Sequence, residues 1–149
     1  MIKILTVCLG NICRSPAAEG ILRDQLIKAG AVEGKDFILD SAGTSAWHIN
    51  NAPDNRSQAV CKSYGIDISA QKARQIKFTD GEEYDYILGM DYSNLENLKK
   101  VIGGDVKAEV ALFDTVEVND PYYSPSDGFE IMYQQLERAA QVWVKRWGW

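Results

Sequence analysis

Residues 2–16 read IKILTVCLGNICRSP, and the architecture of the chain follows from this stretch. Its first part, 2–7, is short, apolar and rich in β-branched side chains, which predicts a buried strand. From Pro16 onward apolar residues recur at helical spacing, and we expect this helix to end at Gly30. The segment 8–15 therefore connects the end of a strand to the N-terminus of a helix.

Residues 8–15, which we call the anion loop, have the composition of a phosphate site. A turn into a helix N-terminus directs several backbone N–H groups and the positive end of the helix dipole at one point. Gly10 permits main-chain conformations that a side chain would resist, and Ser15 is expected to cap the helix. Arg14 offers a planar fork for two phosphate oxygens, and the same field would stabilise a thiolate at Cys8. The pattern predicts phosphoryl transfer through a nucleophilic cysteine.

Composition restricts the class of protein. The chain has 149 residues, enough for one domain with a substantial core, which we expect to span 1–149. A net charge of −5 without a long basic run argues against nucleic acid as a partner. No apolar run approaches the roughly 18 residues of a membrane span. Three cysteines and no signal-peptide pattern favour a cytoplasmic location. The cysteines and the single histidine, His48, lack the spacing of a zinc site, so we expect no metal or cofactor.

Strands alternate with helices along the rest of the chain. This order predicts a single-domain α/β fold, a three-layer sandwich in which a four-stranded parallel sheet carries helices on both faces. Ligands in such folds bind beyond the carboxyl ends of the strands, where the anion loop lies between strand 1 and helix 1. The further strands are predicted at 37–41, 84–90 and 109–113. The further helices are predicted at 53–64, 95–102 and 128–147.

Loops beyond these strands add a candidate acid and aromatic side chains. Thiolate attack on a phosphate ester expels an alkoxide or phenoxide, and a general acid that protonates the leaving oxygen accelerates this step by roughly 10²–10⁴-fold. Asp120, on the loop after the last strand, is the candidate acid, although an Asp-Pro pair can also simply begin a turn. Trp47, Tyr122 and Tyr123 are predicted to line a pocket for a flat substrate ring, or else to plug the core.

Together these motifs resemble the low-molecular-weight protein tyrosine phosphatases over essentially the whole chain. The resemblance implies that Cys8 attacks phosphorus to form a phosphocysteine, while Arg14 and the loop amides hold the equatorial oxygens. It also implies that Asp120 protonates the departing tyrosine oxygen and then acts as base for the water that releases inorganic phosphate. The implied substrate is a phosphotyrosine-containing protein or a small aryl phosphate, and no metal is required. The matching segments are 7–16, Asp40-Ser41, Trp47, 90–95 and 120–123.

The resemblance also implies roles for residues around the nucleophile. Ser15 matches a family serine that hydrogen-bonds the thiolate, and Asn11 matches an asparagine that holds the loop in its strained shape, with Ser41 as a partner. Cys13 matches a cysteine that can form a reversible disulfide with the nucleophile, although a small core residue is the alternative. Many relatives carry histidine in place of Gln71, and we expect Gln71 to support Asn11 through altered hydrogen bonds. The residues predicted to bind phosphate or support the loop are Leu9, Gly10, Asn11, Ile12, Cys13, Ser15 and Ser41.

Other functions stay open at this point. An arsenate reductase on the same fold needs a further cysteine pair near strand 3, and 70–100 contains no cysteine. Protein arginine phosphatases resemble this loop but carry threonine at the position of Ile12, whose apolar side chain favours a phenyl ring. A non-catalytic phosphotyrosine-binding module would need the anion cradle but not Asp120. A further alternative is that Cys8 is only a buried structural cysteine and that Arg14 is only a surface charge.

Overall fold

A four-stranded parallel sheet with helices on both faces forms the body of the molecule. The computed structural model describes residues 1–125 and 127–149. The strands are β1 (Ile2–Cys8), β2 (Phe37–Gly43), β3 (Tyr86–Gly89) and β4 (Glu109–Leu112). The helices are α1 (Arg14–Lys28), α2 (Asn55–Ser63), α3 (Asp80–Glu83), α4 (Tyr92–Ile102) and α5 (Gly128–Arg146). The predicted three-layer α/β sandwich is confirmed, with the anion loop between β1 and α1.

Strand β1 runs through the interior of the sheet. The strand order is β2-β1-β3-β4, and β1 pairs in parallel with both of its neighbours. The register pairs Cys8 with Gly43 and Val7 with Gly89, so three strands end at one edge of the sheet. An interior parallel strand is buried on both faces, which explains the continuous apolar run that predicted β1. The anion loop leaves the sheet at the edge where ligands bind in such folds.

Two hydrophobic cores hold the sheet, one on each face. Ile4 and Leu39 point into the core that α1 and α5 cover, whereas Leu5 and Ile87 point into the core that contains Leu98 of α4. Successive side chains of a strand face opposite sides, so β1 contributes to both cores. Burial on both sides leaves β1 little freedom to shift, and the start of the anion loop is fixed accordingly.

Helix α5 begins at Gly128 as predicted, whereas α1, α2 and α4 begin two or three residues away from their predicted first residues. Helix α1 begins at Arg14 rather than at Pro16, and Cys13 occupies its N-cap position without a side-chain hydrogen bond. The prediction that Ser15 caps this helix was wrong, because the Ser15 hydroxyl turns into the anion loop instead. Helix α3 was missed because four residues are too few to show a periodic pattern. Within the described ranges, no helix is long and apolar enough to cross a membrane.

Two strands, β2 and β3, differ in length from the prediction by two residues or more, whereas β1 and β4 differ by one. Strand β2 continues to Gly43, beyond the predicted end at Ser41, because β1 pairs with it as far as Cys8. Strand β3 begins at Tyr86 rather than earlier, because Tyr84 ends α3 and is buried there. The longer β2 brings its last residues against the anion loop.

Gly43 allows this close approach, which suggests a test by substitution. A Cβ at position 43 would lie 2.9 Å from the carbonyl oxygen of Leu9 and 3.0 Å from the carbonyl carbon of Gly10, and backbone atoms cannot rotate away. We expect Gly43→Ala to displace the anion loop and to lower the free energy of unfolding by about 1–3 kcal/mol.

Gly104→Ala is the matched control, because no described atom lies within 4 Å of the Cβ it would add. We expect that control to stay within about 0.5 kcal/mol of the unsubstituted protein. Denaturant unfolding measures both variants, and equal losses in the two would contradict the role of the close approach.

Candidate active site

Neighbouring segments bind carbonyl groups of the anion loop. The pairs are Thr44 N–H with the Cys8 carbonyl (2.9 Å), Ser45 N–H with the Leu9 carbonyl (2.9 Å) and Asp54 N–H with the Ile12 carbonyl (2.8 Å). Because these carbonyls face the surrounding protein, the negative ends of their peptide dipoles are kept out of the loop's concave side. The loop ends at the N-terminus of α1, where the first N–H groups have no partner within the helix. The loop therefore offers a positive potential to an anion.

The side chain of Asn11 holds the loop in its curved shape. Asn11 is buried and has a left-handed backbone with φ of 58°, which is uncommon for a residue other than glycine. Its Nδ2 donates to the hydroxyl of Ser15 (2.8 Å) and to the hydroxyl of Ser41 (2.9 Å). Its Oδ1 accepts from the backbone N–H of Arg74 (2.9 Å). These bonds use both amide protons and the amide oxygen, so the Asn11 side chain has one orientation.

Gln71 does not take part in this support, contrary to the sequence prediction. Its Nε2 donates to the carbonyl of Pro16 (3.1 Å), and its Oε1 is buried without a partner among the described residues. The main chain of Arg74 supports Asn11 instead. The Arg74 side chain pairs with Asp40 (2.9 Å) and with the fully buried Asp80 (3.0 Å), which fixes the segment. No sequence signal marks this role, because a backbone N–H supplies it.

Ser15 lies between Asn11 and the candidate nucleophile. Its Oγ is 3.1 Å from the sulfur of Cys8 and accepts the hydrogen bond from Asn11. The hydroxyl accepts from Asn11 and keeps its own proton to donate, and the sulfur at 3.1 Å is a nearer acceptor than the carbonyl of Ala42 at 3.4 Å. A hydroxyl that donates to sulfur stabilises a thiolate.

The guanidinium of Arg14 is buried beside the same cavity. Its Nη1 donates to Asp91 (2.6 Å) and to the carbonyl of Val118 (3.0 Å), and its Nη2 lies 3.6 Å from Asp120. Burial disfavours the charged form, but the neighbouring negative groups raise the pKa of Arg14 above its usual value. The side chain is therefore a permanent cation in a fixed orientation.

Asp91 was not among the predicted site residues. It is the N-cap of α4, where its Oδ1 accepts from the N–H of Asn94 (2.7 Å) and the Asn94 side chain accepts from the N–H of Asp91 (3.2 Å). Its other oxygen binds Arg14. The capping pattern is visible in the sequence, but the contact with Arg14 is not, because the two residues are 77 positions apart.

Asp120, the predicted acid, lies at the mouth of the cavity. Its Oδ2 faces Arg14, and its Oδ1 accepts from the N–H of Tyr122 (3.1 Å). About two fifths of its side chain is exposed. A carboxyl group in this position can reach a leaving oxygen and also a water molecule from solvent.

One cavity of about 300 Å³ brings the predicted catalytic and wall residues together. Trp47 and Tyr123 are exposed at its rim, which excludes the alternative that they plug the core. Tyr122 is half-buried and packs against the core as well as the cavity. Asn11, Ser15 and Ser41 do not line the cavity and support the loop from behind. The lining residues are Cys8, Leu9, Gly10, Ile12, Cys13, Arg14, Trp47, His48, Asp120, Tyr122 and Tyr123.

His48 also lines the cavity, although it was not among the predicted site residues. A Cβ added to Gly10 would lie 3.0 Å from Cδ2 of its ring, so the ring sits against the anion loop. The sequence could have indicated this position of His48, because His48 directly follows the predicted wall residue Trp47. The small size of Gly10 makes room for the ring.

The other two thiols differ from Cys8 in their surroundings. Burial, together with Asp54, raises the pKa of the Cys13 thiol far above its ordinary value. Burial also raises the pKa of Cys61 to about 12, and Cys61 is fully enclosed in the core. All three cysteines are free thiols. At neutral pH Cys13 and Cys61 are protonated and weakly nucleophilic.

The model of the family described as low molecular weight phosphotyrosine protein phosphatase matches residues 3–147. This chain belongs to that family. A low molecular weight phosphotyrosine protein phosphatase from Schizosaccharomyces pombe is 43% identical over 151 residues, covering 97% of this chain and 96% of the relative. The crystal structure of YfkJ from Bacillus subtilis has a TM-score of 0.89 at 37% identity, covering 98% and 94% of the two chains. A drosophila arginine phosphatase has a TM-score of 0.89 at 28% identity, covering 99% of both chains.

Thiol labelling tests the difference among the cysteines. In the native protein at pH 7 we expect iodoacetate to modify Cys8 rapidly, because Cys8 borders the positively polarised anion loop. The other two thiols should react slowly, because burial raises the pKa of Cys13 and of Cys61. Inorganic phosphate should slow the reaction by occupying the loop. Peptide mass spectrometry identifies the labelled residue, and equally fast labelling of Cys13 would contradict the expectation.

Proposed function

We propose that this phosphatase hydrolyses phosphotyrosine through a phosphocysteine formed at Cys8. The observation that carries the proposal is one cavity in which the Cys8 sulfur, the Arg14 guanidinium and the Asp120 carboxyl group meet. A nucleophile, an anion clamp and a proton donor are the three groups that cleavage of an aryl phosphate requires.

In the first step the phosphate enters the anion loop and replaces Asp120 as a partner of Arg14. The Cys8 thiolate attacks phosphorus opposite the ester oxygen, so the sulfur–phosphorus bond forms as the phosphorus–oxygen bond breaks. Asp120 gives its proton to the departing phenolic oxygen. Arg14 and the loop N–H groups stabilise the charge that spreads over the three equatorial oxygens.

In the second step a water molecule replaces the phenol. The Asp120 carboxylate takes a proton from this water as its oxygen attacks phosphorus. Cys8 leaves as a thiolate, which the hydroxyl of Ser15 stabilises, and inorganic phosphate is released. The protonated Asp120 and the free thiolate are then ready for another turnover, and no step uses a metal or cofactor.

The walls of the cavity favour an aromatic ester. The half-buried Tyr122 stands edge-on to Tyr123, with ring centroids 4.8 Å apart, and Trp47 is exposed at the same rim. Such rings and the apolar side chain of Ile12 suit a flat phenyl group. We therefore propose a phosphotyrosine-containing protein or a small aryl phosphate as substrate. Three free thiols suit a reducing compartment, and we propose a cytoplasmic location.

Phosphoarginine is the second candidate substrate. The observation in its favour is the close structural match to the drosophila arginine phosphatase. Against it stands Ile12 in the cavity lining, which offers no hydrogen bond to a guanidinium group. Phosphotyrosine and phosphoarginine peptides should be compared side by side, and a higher kcat/KM for phosphoarginine would replace the proposed substrate class.

Replacement of the nucleophile provides the first test of the mechanism. We expect Cys8→Ser to abolish phosphate release from a phosphotyrosine peptide, because a serine hydroxyl is not ionised in this loop. The variant should still bind inorganic phosphate, since Arg14 and the loop N–H groups are unchanged. Cys61→Ser is the matched control and should keep turnover. Hydrolysis by Cys8→Ser at a rate similar to wild type would exclude the nucleophile role.

Replacement of Asp120 tests the acid. We expect Asp120→Ala to lower kcat/KM for phosphotyrosine by roughly 10²–10⁴-fold, and to lower it far less for 4-nitrophenyl phosphate, whose leaving group needs no proton. The parameter kcat/KM is chosen because it covers the steps up to departure of the phenol. Asp105→Ala, an exposed and remote carboxylate, is the control. Equal losses on the two substrates would remove Asp120 from the acid role.

A further inference from the structure

The first turn of α2 is bound to the anion loop. Asp54, the N-cap of α2, donates its backbone N–H to the carbonyl of Ile12 (2.8 Å). One turn later the hydroxyl of Ser57, which is fully buried, donates to the carbonyl of Cys13 (2.9 Å). Two buried or partly buried contacts therefore fix this turn relative to the nucleophile.

Arg56 extends from the same turn to the loop that carries the acid. Its Nη1 donates to the carbonyl of Tyr122 (3.0 Å), and its guanidinium lies over the ring of Tyr122 (5.2 Å) and over the ring of Phe129 in α5 (4.7 Å). Asp54 holds the other side of the fork, at 3.0 Å from Nε and 2.9 Å from Nη2. A planar guanidinium can make all these contacts at once, which an ammonium cannot.

The contact with Tyr122 leads directly to Asp120. The N–H of Tyr122 donates to Oδ1 of Asp120, and the carbonyl of Tyr122 accepts from Arg56. Both peptide groups of Tyr122 are therefore fixed, one by the acid itself and one by Arg56. A displacement of Tyr122 would move the carboxyl group of Asp120.

The direct contact between Asp120 and Arg14 of the anion loop is lost when substrate binds. In the empty site Arg14 lies 3.6 Å from Asp120, but in the proposed mechanism the phosphate takes over the fork of Arg14. Asp120 must at that stage be protonated and has no charge to pair with. Arg56 does not face this competition, because its partners are Asp54 and the Tyr122 carbonyl.

We propose that Arg56 is the positioning residue for Asp120, holding the acid over the leaving oxygen while the substrate phosphate occupies Arg14. The proposal rests on the proposed function, because it takes Asp120 as the general acid. Arg56 acts through Tyr122 and does not touch the reacting atoms. Its loss should weaken proton donation without weakening attack by Cys8.

The chain contains a matched control for the chemistry of Arg56. Arg146 in α5 likewise binds a carboxylate, Glu109 (3.0 Å), and lies over two aromatic rings, those of Trp143 (4.9 Å) and Tyr86 (5.9 Å). The two arginines are about equally exposed, 49% and 52%. Arg146 does not line the candidate active site. Any general effect of removing such an arginine should appear in both variants.

The experiment measures kcat/KM of Arg56→Ala, Arg56→Lys and Arg146→Ala on two substrates, a phosphotyrosine peptide and 4-nitrophenyl phosphate. For Arg56→Ala we expect a loss of about tenfold or more on phosphotyrosine and of less than about twofold on 4-nitrophenyl phosphate, since a misplaced acid matters only for the poor leaving group. The kcat/KM of Arg56→Lys on phosphotyrosine should lie between the values of Arg56→Ala and the unsubstituted protein. Lysine can reach the Tyr122 carbonyl, but it cannot bind Asp54 with two N–H groups as the planar guanidinium does. Arg146→Ala should leave both substrates unchanged.

A double variant separates positioning from other roles. In the Asp120→Ala background, Arg56→Ala should change phosphotyrosine hydrolysis by less than about twofold, because there is no acid left to position. A further tenfold loss in that background would overturn the proposal, as would equal losses of Arg56→Ala on both substrates, which would indicate phosphate binding or a damaged fold. Turnover of 4-nitrophenyl phosphate shows in each case that the variant is folded.

The same data distinguish this proposal from the proposed function. If Asp120→Ala alone shows no dependence on the leaving group, the acid assignment fails and the role of Arg56 fails with it. If Asp120→Ala shows that dependence and Arg56→Ala does not, only the role of Arg56 is overturned.

Discussion

The hydrogen bonds of the Asn11 side-chain amide are the interactions on which the geometry of the candidate active site depends. A left-handed backbone at a residue other than glycine costs energy, and three hydrogen bonds from the buried amide offset this cost. One of them leaves the hydroxyl of Ser15 with its own proton free to donate to Cys8, and another ties the loop to the backbone of Arg74. Loop curvature and the hydrogen bond to the nucleophile thus follow from one side chain.

A buried cation imposes the second constraint. Arg14 is almost fully enclosed, and a buried charge must be paired or hydrogen-bonded. Asp91 and the carbonyl of Val118 hold one side of the guanidinium, while Asp120 faces the other from the mouth of the cavity. A phosphate dianion can therefore replace Asp120 without removing the support that orients Arg14. In the proposed mechanism this exchange frees Asp120 from Arg14 at the moment when the leaving oxygen needs a proton.

Much of the fold and of the candidate site was predictable from sequence because the signals are local. Strand β1, the anion loop and α1 adjoin one another, so apolar periodicity and the turn chemistry reveal them together. Asp120 was found as an acidic residue on the loop after the last strand, and family membership agrees with the chemistry predicted from Cys8 and Arg14. Two predictions failed for different reasons. Ser15 does not cap α1, because its hydroxyl lies against Asn11 and Cys8 in the anion loop. Gln71 does not support Asn11, because its amide binds the carbonyl of Pro16 and the main chain of Arg74 supplies the support.

The amino-acid sequence alone was thus sufficient to predict the α/β class, the anion loop and the family. Each of these depends on residues that are neighbours in sequence or on motifs with fixed spacing. The partners of the site required the folded molecule. Asn11 meets the backbone of Arg74 across 63 positions, and Arg14 meets Asp91 across 77. Arg14 and Asp91 meet because they follow β1 and β3, which are neighbouring parallel strands that end at a common edge. Arg74 reaches Asn11 because its segment pairs with Gly43 at the end of β2. No periodic pattern along the chain records this pairing, so sequence inspection could not supply these contacts.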